Sequence, residues 1–131
     1  MDVRMEFTRG LGKEAQVWVD GRLLTVCDGL SQANQPCPPG ILHNVRFTYV
    51  TLEGFTWEQA LRGNPARRKQ LEPVRRWSYA GYGQVLSILP VMVDFGLLVM
   101  EDPHWTYDER MAGRYVRIPI DRLEISGVSP P

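Results

Sequence analysis

The sequence predicts a mainly β protein, a small antiparallel β-barrel with one short helical insert around residues 56–72. Three observations carry this. Apolar and polar side chains alternate with period two through most of the chain, glycine and proline punctuate those runs, and only one interval carries helix start and stop signals. Parallel strands need crossovers of a dozen or more residues, and that single interval cannot supply several, so antiparallel pairing follows.

Residues 1–8 place Met1, Val3, Met5 and Phe7 on one side and Asp2, Arg4, Glu6 and Thr8 on the other, the pattern of a half-buried strand. Arg9-Gly10-Leu11-Gly12 reads as a turn. Ala15, Val17 and Val19 then alternate with Gln16 and Trp18, and Asp20-Gly21 suits a two-residue hairpin because both tolerate positive φ. Arg22–Cys27 is the returning strand. From Asp28 to Gly40 the chain turns to Gly, Ser, Gln, Asn and Pro36-Cys37-Pro38-Pro39, where proline removes ladder donors, so a long loop is expected. Ile41–Glu53 resumes strand chemistry with Val45, Phe47, Tyr49 and Thr51 on one face.

Thr56-Trp57-Glu58-Gln59 has the form of a capping box, and Gly63 supplies a stop. Asn64-Pro65 predicts a second short helical turn through Leu71, ended by Pro73. Strands return at Gln84–Leu89 and Val91–Met100, the second with Val91, Val93, Phe95, Leu97 and Val99 on one face. Glu101–Ala112 is polar and turn-like, with one helical turn expected at Tyr107–Met111. Arg114–Ile125 closes the chain, and Pro119 places that strand at an edge or a bulge. Six or seven strands with one inserted helix and no internal repeat have, by analogy of layout alone, the plan of an OB-type barrel.

At 131 residues the chain matches one domain, residues 1–131, able to bury a core without metal or disulfide support. Fifteen basic residues balance fifteen acidic ones, so attraction to nucleic acid or to an anionic membrane would have to come from a local patch. The longest apolar run, Val85–Met100, is broken by Ser87, Pro90, Asp94 and Gly96, and the charged N-terminus lacks a signal-peptide core. A cytoplasmic protein without membrane contact is expected. Cys27 and Cys37 fit neither a redox pair nor a zinc knuckle, and read as buried or incidental thiols that the proline-rich loop could still bring together.

The most distinctive segment holds Arg62, Arg67, Arg68, Lys69, Arg75 and Arg76 against one acid, Glu72, and leads directly into Trp77, Tyr79 and Tyr82. Cations beside aromatics are what single-stranded nucleic-acid binding uses, with arginines on phosphates and rings on bases. They are also the side chains that dominate protein interfaces. The competing reading is a solvated charged face with rings in the core. A second cluster, Glu101, Asp102, His104, Asp108 and Glu109, offers oxygen ligands and one imidazole for a divalent metal, although its spacing matches neither an EF-hand loop nor HExxH and a solvated turn is the competing reading. His43 and His104 sit in no nucleophile motif, and Gly81-x-Gly83 lacks the third glycine and the following helix of a dinucleotide fingerprint. Trp18, Trp57, Trp77 and Trp105 lie in polar or loop contexts, which admits an assembly role, although burial of two or more is expected.

The expectation is therefore a non-enzymatic binding or assembly module, without a cofactor, that engages a protein partner or a second copy through residues 62–82. Single-stranded nucleic-acid binding and a small metal-dependent enzyme at residues 101–109 are the alternatives.

Overall fold

The hairpin written by Asp20-Gly21 anchors the first half of the fold. Both residues have positive φ, +46° and +85°, and Val19 pairs directly with Arg22. β2 (Glu14–Val19) and β3 (Arg22–Gly29) form that hairpin, and β1 (Val3–Thr8) adds antiparallel to β2. A register shift between Met5 and Phe7 turns Phe7 outward, so only Val3 and Met5 of the expected apolar face are buried. β4 (Gly40–Ile41) caps the far edge of β1.

The computed structural model describes residues 1–128, and their strands form one mainly β sheet of ten strands in a single hydrogen-bonded network. β5 spans Val45–Thr51, β6 Gln70–Arg75, β7 Ser78–Ile88, β8 Val91–Asp94, β9 Val99–Glu101 and β10 Tyr115–Gly127. β10 is the hub: it pairs antiparallel with β7 and β5 and parallel with β3. The β3–β10 pair corrects the all-antiparallel expectation, and the intervening strands together serve as its crossover. Hydrogen bonds do not close the sheet, because β9 pairs only with β8 and β5 only with β10.

The helical insert is shorter than 56–72. Only α1, Trp57–Arg62, is helical; Thr56 caps it by accepting from the Gln59 amide at 3.2 Å. Asn64 makes a single turn, its side-chain oxygen taking the Arg68 amide at 2.8 Å, and Arg67 then leaves with φ +54°. Residues 70–75 are a strand instead, since β6 pairs only with β7 and an edge tolerates Pro73.

The run 91–100 is likewise a hairpin and not one strand. Asp94 accepts from the Gly96 amide, Gly96 sits at φ +87°, and Phe95 bonds across the turn to Leu98, which reverses the chain. Leu98 and Met100 are consequently buried and Val99 half exposed, inverting the expected face. The turn after β9 is a short 3-10 segment, Glu109–Met111. Pro119 lies beside the register shift of the β5–β10 pair, where its carbonyl accepts from Leu52.

One apolar core runs through the sheet, with Leu24, Leu71, Phe95, Met100, Ile118 and Leu123 fully buried. Gly81 and Gly83 permit it. A Cβ on Gly81 would stand 2.7 Å from the Phe95 ring and one on Gly83 2.7 Å from the Asp94 carbonyl, so these glycines exist for close packing of β8 against β7.

Candidate functional site

The β6–β7 hairpin splits the cationic segment into two places and an interior residue. Tyr79 faces inward, buried, with its hydroxyl bonded to the backbone of Thr25 at 3.0 Å and 2.8 Å. Arg75, Arg76 and Trp77 sit at the hairpin end, where Arg76 lies over the Trp77 ring at 4.1 Å and binds Glu14 at 2.5 Å. Arg62 pairs with Glu58 one helical turn back, and Lys69 with Asp94 at 3.0 Å. Asp94 is pushed up by burial, yet the Gly96 amide and Lys69 together hold its carboxyl below the usual range.

The remaining members converge. Cross-strand pairing sets Gln70, Tyr82 and Arg117 side by side on the outward face of β6, β7 and β10, with Gln84 opposite Tyr115 one step along. Arg68 arrives from the loop and lies over the Tyr82 ring at 4.3 Å while reaching Gln70 at 2.5 Å and Glu72 at 3.1 Å. From the other flank Arg117 bonds the Tyr82 hydroxyl at 3.3 Å, and Arg67 stands over Tyr115 at 5.8 Å. A cleft of about 430 Å³ beside them is lined by Asn64, Arg67, Gln84, Arg114 and Tyr115. Asn64 is buried there and holds the loop by donating to the carbonyls of Arg68 and Val116.

This face thus carries Arg67, Arg68, Arg114 and Arg117 with Tyr82 and Tyr115. Among the described residues only Arg68 of the four forms an ion pair. Arg114 and Arg117 lie more than thirty positions beyond Tyr82, and only the β7–β10 pairing brings them to it.

The acidic cluster separates in a different way. Asp102 is buried, accepts from the Tyr49 hydroxyl, and takes both the His104 amide at 2.7 Å and its Nδ1 at 3.0 Å. His104 Nε2 lies 3.3 Å from the Thr51 hydroxyl, and its ring stacks on Phe55 at 4.2 Å. Burial and the Asp102 charge push the Tyr49 hydroxyl far above its ordinary range, so it stays a proton donor. Asp108 pairs with Arg110, whose hydrogen bonds hold its carboxyl low, while Glu101 and Glu109 are exposed. Among the described residues no three His, Cys, Asp or Glu side chains gather as a metal-ligand set. What this cluster does chemically is tie the turn after β9 to β5.

No protein-family model matches the chain, and neither a curated protein nor a solved structure matches it. Function therefore rests on the geometry alone.

The remaining candidates fall into place around these two clusters. Cys27 is buried and Cys37 partly so, and both are free thiols. Trp18 donates to Glu6 at 2.9 Å, Trp57 packs on Phe55 and the core, and Trp105 is exposed against Tyr107. Among the described residues no helix is long and apolar enough to cross a membrane.

Proposed function

We propose that the chain is a non-enzymatic binding module whose ligand is a protein segment rich in carboxylates, engaged by the arginine–tyrosine face of β6, β7 and β10. One observation carries the reading: Tyr82, Tyr115 and Arg117 share one outward sheet face, Arg67, Arg68 and Arg114 flank it from the adjoining loops, and among the described residues Glu72 is the only acid in an ion pair with these arginines, with Asp94 on the same face opposite Gln84 and paired to Lys69. Guanidinium is planar and presents a fork of donors that matches a carboxylate, and stacking on a ring fixes its orientation before a ligand arrives.

The state of the rings supports protein over single-stranded nucleic acid. Base stacking needs open aromatic faces. Here Arg68 covers Tyr82, Arg76 covers Trp77, and Tyr79 is buried, which leaves donor edges outward and few bare ring faces.

Fluorescence anisotropy of a labelled Asp/Glu-rich decapeptide and a labelled ten-nucleotide single strand, each over a salt series, tests the proposal. Peptide binding that weakens on Arg67→Ala/Arg117→Ala supports it. Tighter binding of the oligonucleotide with a steep salt slope transfers the site to nucleic acid, and no binding of either at low salt rejects the face as a site.

The barrel layout belongs to the same proposal. It is supported by the approach of β5 and β9, where Tyr49 meets Phe95 edge-on at 5.8 Å and reaches Asp102 without any backbone ladder between the two strands. On this view β5, β10, β7, β8 and β9 form a barrel wall with one open seam between β5 and β9.

A further inference from the structure

We infer that the seam between β5 and β9 is a docking groove for one extended polypeptide strand of a partner protein, which adds to the free edge of β5. The direction of the backbone groups carries the inference. The Asn44 carbonyl accepts from Val128, so by strand alternation residues 46, 48 and 50 point to β10, while the amides and carbonyls of Val45, Phe47 and Tyr49 point the opposite way, into the seam. On the other wall Leu98 bonds Phe95 and Asp102 bonds Val91, so the backbone groups of Val99 and Glu101 also face the seam. β5 and β9 each have one hydrogen-bonded neighbour, and these groups have none among the described residues.

Parts of β5 and β9 approach within 8 Å, and a strand between two neighbours takes about 9.6 Å, so the guest adds to β5 as the seam widens from the grooves already present. A groove of about 540 Å³ lies between the two walls and continues, through Arg46, Phe47 and Val99, into a second of about 380 Å³. Residues 45–49 present about 17 Å of edge at the usual strand rise. Its floor is apolar, with Phe47, Tyr49, Val91 and Met100 buried, and its rim exposes Leu89 at 70 %, Val99 at 50 % and Trp105 at 69 %.

An evenly spaced row of amide donors and carbonyl acceptors selects a peptide backbone, which nucleic acids and lipids do not mimic, and the apolar floor selects alternate apolar side chains. Soluble proteins usually blunt such an edge, and this one carries no proline and is flanked by exposed apolar residues. Arg46 near one end and Glu101 on the opposite wall form no ion pair among the described residues, so a guest with opposite charges at its two ends fits best. The groove shares no residue with the arginine–tyrosine face, so either proposal can fail alone.

The test is selection of heptapeptides from a displayed random library on the intact protein. The binders are then resynthesised with N-methyl groups on alternate residues in each of the two registers, and hydrogen exchange of β5 is followed by NMR. The inference expects enrichment of alternating apolar sequences, a loss of about tenfold or more for one N-methyl register and little for the other. It also expects slowed exchange at Val45, Phe47 and Tyr49, and unchanged binding by Arg67→Ala/Arg117→Ala. Absence of enriched peptides, equal tolerance of both N-methyl registers, or self-association that buries β5 against a second copy would each overturn it.

Discussion

The guanidinium of Arg68 lies over the Tyr82 ring at 4.3 Å and reaches Glu72 at 3.1 Å, so one side chain joins β6, β7 and the loop that precedes them. Truncating the ring frees the arginine. Tyr82→Ala should reduce binding of an acidic peptide several-fold, because the guanidinium loses its fixed orientation, whereas an exposed cation–π pair contributes only about 0.5–1 kcal/mol to stability. Peptide titration beside chemical denaturation separates the two effects; a large stability loss with unchanged binding would make the stack merely structural.

Removal of the Tyr49 hydroxyl tests the buried tie to Asp102. Tyr49→Phe keeps the ring in the core but leaves a fully buried carboxylate short of one donor, which costs about 1–3 kcal/mol. Urea denaturation reads this directly. His104→Ala should be destabilising too, and the two losses should be non-additive, since both partners serve one carboxylate.

Asp28 should contribute to acid destabilisation. Burial raises its carboxyl, yet Ser31, Thr8 and the amides of Ser31 and Leu30 donate to it and hold it below the usual carboxylate range. The folded group therefore titrates below the unfolded one, the unfolded chain binds more protons in between, and the contribution is present above about pH 4 and is lost on further acidification. In Asp28→Asn the fall in stability below pH 4 should be shallower than in the parent protein. Melting temperatures from pH 7 to pH 2 check this.

Close packing at Gly83 makes a third stability prediction. A methyl there meets the Asp94 carbonyl and the Val93 side chain at 2.7 Å and 2.8 Å, so Gly83→Ala should cost about 1–3 kcal/mol. Gly113→Ala, where no atom lies within 4 Å, reports backbone strain alone, because that residue sits at φ +86°.

Burial raises the thiols of Cys27 and Cys37, with the Glu124 charge adding at the first and that of Asp28 at the second. Thiol titration of the native protein at pH 7 should be slow, Cys27 slowest. Alkylation in denaturant without reductant should modify both; a disulfide mass would contradict the free pair.

Local chemistry was legible wherever one residue's own preference decided the outcome. The Asp20-Gly21 hairpin, the Thr56 cap, the Asn64 turn and the alternation of Val45, Phe47 and Tyr49 all follow from propensities that act over a few residues. Where two structures fit the same local pattern, sequence alone chose badly. The helical turn expected through Leu71 and ended by Pro73 gives way to a strand at Gln70–Arg75, and the single strand expected over Val91–Met100 is a hairpin. An unpaired edge excuses the first, and a left-handed glycine with an Asp94 side-chain bond creates the second.

The same division holds for the candidate site. Composition alone located a cationic, aromatic stretch, since charge and ring content are properties of the residues themselves. Which of those residues act together was decided by the register of β7 on β10, which sends Tyr79 inward, leaves Arg76 at the hairpin end, and brings Arg117 from the last strand to Tyr82. Strand pairing is long-range: its partners are chosen by burial of a shared face, and no window of sequence contains both sides of that choice.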